Sequence, residues 1–169
     1  MKIALSVLDA FEQNGKGALR KLSDHILADG ALKNDKSAIR LAIIAHALSN
    51  VLEKAYYRTR KSVWERFSRK IREGLQGVAR GEPLIETLEN ALIELDENFG
   101  RYSDNVLHRS KIRRGSNLYA WGLTPTLASN LVDVEENEIL SQSGQTKMVD
   151  EEGTSVSAEK RLKNLEELL

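Results

Sequence analysis

Between Leu41 and Ala55 the apolar residues Leu41, Ile44, Ala45, Leu48, Val51, Leu52 and Ala55 recur at steps of three and four. That spacing gathers side chains on one face of an α-helix and predicts a helix with one buried face. The same period returns in Val63, Phe67, Ile71, Leu75 and Val78, and again in Leu84, Leu88, Leu92, Leu95 and Phe99. No segment alternates apolar and polar residues over a length useful for a strand. Only two prolines interrupt 169 residues rich in the helix formers Ala, Leu, Glu, Lys and Arg. The expected fold class is all-α: a bundle of four to five long helices, then shorter ones from Gly115 onward.

A first helix is expected from about Ile3 to Leu27, divided near Gly15 and Gly17, with residues 29–35 as a connection and Ser37 as the next N-cap. Gly81-Glu82-Pro83 breaks the chain, and Pro83 suits a first helical position. Gly100 ends the following helix, and a fifth starts near Ser103 or Asp104. A polar loop over residues 141–156 precedes a terminal helix capped by Ser157 and lined by Leu162, Leu165, Leu168 and Leu169. This divides the chain into a bundle over 1–114 and a segment over 115–169, separate or packed as one domain.

Charge is neutral in sum and uneven in place. Lys54 to Arg72 holds eight basic residues against one acid, Glu65, and Arg101 to Arg114 holds five against Asp104. From Asp133 to the end there are ten acids and four bases, so the middle is basic and the tail acidic. Cysteine is absent, which removes disulfides, thiolate metal sites and a cysteine nucleophile and fits a cytoplasmic setting. The N-terminal apolar stretch is broken by Ser6 and Asp9, short of a membrane span, and no small-residue cleavage site follows.

One segment carries a fold signal: LTPTLASNLVDVEENEILSQSG, residues 123–144. Thr124 can cap a short helix with Pro125 at its first position, Ser129 is small where two helices would cross, and Asp133 tolerates the left-handed turn. Val134 and Ile139 then fall where they would lock the second helix onto the first. This pattern resembles the helix-turn-helix family. More narrowly, with Gly144, Thr146 and Lys147, residues 115–169 resemble a C-terminal module of small uncharacterised archaeal proteins. The resemblance implies a fold rather than an activity. Its second helix opens with Glu135, Glu136 and Glu138 and holds no Lys or Arg before Lys147. DNA carries about one negative charge per 1.7 Å of axis, so that helix suits a protein-binding face better than a groove.

Nucleic-acid contact is expected instead from the basic middle. The candidate residues are Arg58, Arg60, Lys61, Arg66 and Lys70 in the first cluster, which also holds Lys54, Arg69 and Arg72, and Arg109, Lys111, Arg113 and Arg114 in the second. Tyr56, Tyr57, Trp64 and Tyr119 are candidates for base stacking. The competing structural reading is a salt-bridged helix face over core aromatics.

Catalytic patterns are thin. His25, His46 and His108 share no zinc-ligand spacing, and no glycine-rich phosphate loop occurs, so no catalytic residue, metal or cofactor is expected. Arg40 and His46, in RLAIIAH, resemble the arginine-to-histidine spacing of the HEPN helical ribonucleases. Leu41 stands where a polar residue is usual there, and six helical residues turn the side chains by about 240°. The acidic pairs Glu94/Glu97 and Glu135/Glu138 read as solvated faces.

Together these features point to a non-catalytic regulator or adaptor, antitoxin-like in its division of labour. It would contact DNA or RNA through the basic middle and a protein partner through residues 123–169, with no membrane involved. A HEPN-like ribonuclease using Arg40 and His46, and a purely structural interaction module, stay open, as does pairing with a second copy through the tail leucines.

Overall fold

Helix α3 (Lys36–Glu53) is buried nearly all round. Ile39, Leu41, Ala42, Ile43, Ile44, Ala45, Ala47 and Leu48 are each at most 5% exposed. A helix apolar on every side belongs at the centre of a fold, not on its flank, so the single buried face expected from the stripe is an underestimate. A computed structural model of the chain describes residues 2–100 and 105–146. Around α3 it places α1 (Lys2–Glu12), α2 (Lys16–Lys33), α5 (Ile85–Glu97), α6 (Val106–Ala120) and α7 (Pro125–Val132). Helix α4 (Lys61–Arg80) packs outside, on α1 and α5, and α8 (Glu136–Thr146) packs on α6 and α7. A short 3-10 turn at Ala55–Arg58 joins α3 to α4. The described residues contain no strand, as an all-α fold requires. None of their helices is long and apolar enough to cross a membrane.

Several of the described helices stop in the same way, α1, α2 and α4 with the shortest bonds. Asn14, Asn34 and Gly81 take left-handed backbone angles after α1, α2 and α4. The amide of the next residue then returns to the helix: Gly15 N to Ala10 O, Asp35 N to Gly30 O, and Glu82 N to Gly77 O, at 2.8, 2.8 and 3.0 Å. Helix α2 therefore runs past Leu27 and through the expected connection as far as Lys33. Gly30 lies inside it because a Cβ there would come within 3.0 Å of Ile39 Cγ1 on α3. The next cap is Asp35, not Ser37; its carboxylate accepts from the amides of Ser37 and Ala38 at 2.9 and 3.1 Å. Pro83 is likewise not the first residue of α5, which starts at Ile85 after Leu84.

Helix α6 passes through residues 114 and 115 without a break and continues to Ala120. Gly115 is the point of closest approach, since a Cβ would meet Ile139 Cδ1 at 2.8 Å and Val132 Cγ2 at 2.9 Å. The N-cap of α6 is Asn105, whose side chain accepts from His108 N at 2.8 Å. Helix α8 extends to Thr146, into the stretch expected to be a loop. The terminal helix expected after Ser157 lies outside the described residues, as do Ser103 and Asp104.

One buried carboxylate ties three of these segments. Asp96, fully buried at the end of α5, accepts from the Tyr57 hydroxyl in the 3-10 turn and from the Val106 amide at the start of α6. Tyr57 is itself fully buried between Tyr56 and Phe99, and burial, then its bond to Asp96, pushes its hydroxyl pKa well up. Removing the carboxylate strands two buried donors. We expect Asp96→Ala to lower the unfolding free energy by about 3 kcal/mol, measured by urea denaturation with unchanged slope. A loss below about 1 kcal/mol, the size of an ordinary hydrogen bond, would show that these segments do not depend on Asp96.

Candidate nucleic-acid interface

Helix α4 is strongly two-sided. Phe67, Ile71 and Leu75 are buried, with Val63, Trp64 and Val78 half-buried beside them, as its stripe predicts. Phe11 of α1 meets Phe67 edge-on at 6.2 Å and Trp64 at 6.2 Å, which fastens α4 to α1. The opposite face carries the basic residues, and their neighbours decide what each can do.

Several are already engaged. Arg58 lies 5.2 Å over the Trp64 ring and donates to Asn14 Oδ1 at 2.7 Å. Arg60 lies 5.2 Å over Phe99 and donates to the carbonyl of Asn98. These two clamp the 3-10 turn onto the aromatic core. Lys70 pairs with Glu94 and Arg72 with Glu12, while Lys61 is only 3.9 Å from Glu65 on an exposed face. Arg66 and Arg69 are exposed, one helical turn apart, and neither has a partner among the described residues. Arg66 of the candidate set and Arg69, a residue of the cluster outside that set, are thus exposed cations on neighbouring turns of α4.

The second cluster is divided by geometry. Seven consecutive helical residues, 108–114, point in all directions at about 100° per residue. Arg109 and Arg113 are exposed on α6. Lys111 bonds Asp133 at 3.0 Å, and His108 bonds Glu138 at 2.7 Å. Arg114 is a core ion rather than a surface one: its side chain is 5% exposed and pairs with Asp24 on α2. Burial pushes its guanidinium below the ordinary value against the attraction of Asp24, so Arg114 is withdrawn from phosphate contact. Three of the four aromatic candidates are withdrawn too, since Tyr57 is fully buried and Tyr56 and Trp64 are packed against Phe99 and Phe11; the fourth, Tyr119, is half-buried on α6. Helix α4 packs on α1 and α5, whereas α6 packs mainly on α3, α7 and α8, so the two clusters belong to different parts of the molecule.

Arg40 and His46 face different neighbours. The Arg40 guanidinium grips Glu89 of α5 with two bonds, 3.0 and 2.5 Å long. His46 is 8% exposed, and its Nδ1 lies 3.3 Å from Asn50 Nδ2, which in turn reaches Ser110 on α6. Burial first, then the charges of Arg114, Arg20 and Arg113, lowers its pKa from 6.5 to about 3. A neutral histidine accepting through Nδ1 keeps its proton on Nε2. Among the described residues no group of acids and histidines could hold a metal. No family model, curated protein or solved structure matches the chain.

The buried histidine sets a pH dependence. Its folded pKa lies below the ordinary 6.5, so the unfolded chain binds the proton first and stability falls as pH drops from 6.5 toward about 3. The loss approaches about 1.4 kcal/mol per pH unit within that window. Urea midpoints from about pH 7.5 downward check it; His46→Asn should show a flatter profile, and equal slopes in both proteins would remove His46 as the cause.

Proposed function

We infer that the protein is a nucleic-acid-binding regulator or adaptor that lies against the phosphate backbone with the outer face of α4. The observation that carries this reading is the pair Arg66 and Arg69, exposed, adjacent on one face and unpartnered among the described residues. Lys61 extends the same helix, held only weakly by Glu65. A helix face of exposed arginines, with Trp64 packed against Phe11, favours backbone contact over base reading or stacking. DNA and RNA are then both acceptable, and affinity comes from counterion release.

The segment α7–α8 belongs to the same reading as the protein-partner face. The helix-turn-helix resemblance is supported locally by the Thr124 cap, which accepts from Leu127 N at 3.3 Å, and by Pro125 at the start of α7. Asp133 supplies a left-handed turn, and Ile139 is fully buried against α6. The acids at the start of α8 have a structural reason as well. Glu136 and Glu138 lie in the first turn, where the helix dipole favours them, and Glu138 accepts from Glu135 N at 3.2 Å. Their charge opposes DNA and suits a basic protein surface.

A salt-titrated binding assay on mixed short DNA and RNA tests this. Binding should weaken linearly with the logarithm of salt concentration. Arg66→Ala with Arg69→Ala should reduce that slope by about one for each phosphate no longer neutralised. Arg114→Met should leave the slope unchanged. Absence of binding at low salt, or a double variant with the full slope, would end the α4 reading.

A further inference from the structure

At the N-terminal end of α3, a pocket of about 290 Å³ opens between α3, α5, α6 and the turn after α7. Its polar lining is Lys36, Arg40, Glu89, Lys111, Asn130 and Asp133. Three cations from two helices far apart in sequence meet there, on residues the α4 reading does not use.

The ion pairs in this pocket are unequal. Arg40 and Glu89 form a two-bond pair in which Glu89 is only 12% exposed, so that carboxylate is fully occupied. Lys111 is different. Its side chain is 18% exposed, yet the carboxylate it holds, Asp133, is 93% exposed. Lys36 is exposed and has no partner among the described residues. Asp133 is held below the ordinary carboxylate range first by its bond from Lys111, with Arg40 and Lys36 adding to the attraction. One solvent-exposed carboxylate is therefore held by Lys111 at the rim of a pocket that Lys36 and the Glu89-paired Arg40 also line. It marks where an anion is stabilised while contributing only a single negative charge of its own.

We propose that this pocket binds a phosphate group of a small molecule, which takes the place of the Asp133 carboxylate between Lys111, Lys36 and the outer edge of Arg40. A phosphate brings more charge and three acceptor oxygens, enough to satisfy Lys111 and Lys36 together. The pocket also has room for more than the phosphate itself, and Asn130 offers an amide at its rim. Binding exchanges a hydrogen bond and needs no bond making or breaking.

Calorimetric titration of the full chain with inorganic pyrophosphate, against chloride at equal ionic strength, tests the proposal. Saturable binding is expected. Asp133→Asn removes the internal competitor and keeps a residue that tolerates the left-handed turn, so it should tighten binding by about tenfold. Lys36→Ala should weaken it by about tenfold, and Lys111→Met, which keeps the buried stem, should abolish it. The Arg66→Ala, Arg69→Ala double variant should bind pyrophosphate as the wild type does, which separates this site from the α4 face. Repeating the titration with a nucleoside 5′-monophosphate identifies the source. Tighter binding than pyrophosphate assigns a nucleotide, and weaker binding assigns a free phosphate or diphosphate. Absence of saturable pyrophosphate binding, or an Asp133→Asn variant that binds no tighter than wild type, would overturn the proposal.

Discussion

The burial of α3 on nearly all sides is the constraint from which most of this structure follows. A helix surrounded by other helices gains roughly 1.5–3 kcal/mol for each large aliphatic side chain it removes from water. Every polar group it carries must then find a partner inside the protein. Ser49 bonds back to the carbonyl of His46 at 2.7 Å, and Ser23 of α2 reaches the carbonyl of Ala42 at 2.6 Å. Arg40 takes Glu89 from α5, and the His46 and Asn50 pair takes Ser110 from α6. Arg40 and Asn50 thus act as connectors from α3 to α5 and α6, while Ser49 is satisfied within its own helix. Arg40 and His46 look like chemistry in sequence because such residues are rare on an apolar helix. In the fold Arg40 fastens α3 to α5, while His46 holds Asn50, which reaches Ser110 on α6.

The same constraint separates the parts of the chain that are legible in sequence from those that are not. Helix α4 follows its stripe closely, since an amphipathic helix packed on one side shows its buried face directly in the spacing of Phe67, Ile71 and Leu75. The opening of α7 is equally clear, because a threonine cap with a proline behind it is a local signal that needs no tertiary partner. Residues 29–35 mislead because Gly30 and Asn34 both read as punctuation. Only the packing of Ile39 shows that Gly30 is a contact point inside α2 while Asn34 is the true stop. Ser37 yields the cap to Asp35, a choice fixed by where α2 ends. The site is less legible than the fold. Lys36 and Asn130 stand far apart in the chain and carry no signal, since nothing local announces that α3 and the end of α7 share a pocket.

Charge clusters show the same limit. A run of neighbouring cations on a helix is a patch only if its members repeat every three or four residues. Arg66 and Arg69 satisfy that rule, and Arg109 and Arg113 satisfy it on α6, but Lys111 and Arg114 point elsewhere. Acids distant in sequence then consume further charges: Glu12 takes Arg72, Glu94 takes Lys70 and Asp24 takes Arg114. Sequence neighbours therefore do not reveal which charges stay at the surface, because pairing across the fold removes acids and bases together.

At Asp133 turn chemistry and charge placement meet in one residue. The turn after α7 needs a left-handed backbone, which glycine supplies without strain and which costs an ordinary L-residue roughly 1–2 kcal/mol. An aspartate there has φ 58° and a side chain almost wholly in water, so neither packing nor turn geometry prefers it over glycine. What it supplies is charge opposite Lys111, whose stem is sunk between the helices with its ammonium facing the pocket. A lysine in that position needs a counter-ion, and Asp133 provides one at a point where solvent weakens the bond. The feature that reads as turn propensity in the sequence is, in the folded chain, a replaceable anion at the rim of a cationic pocket.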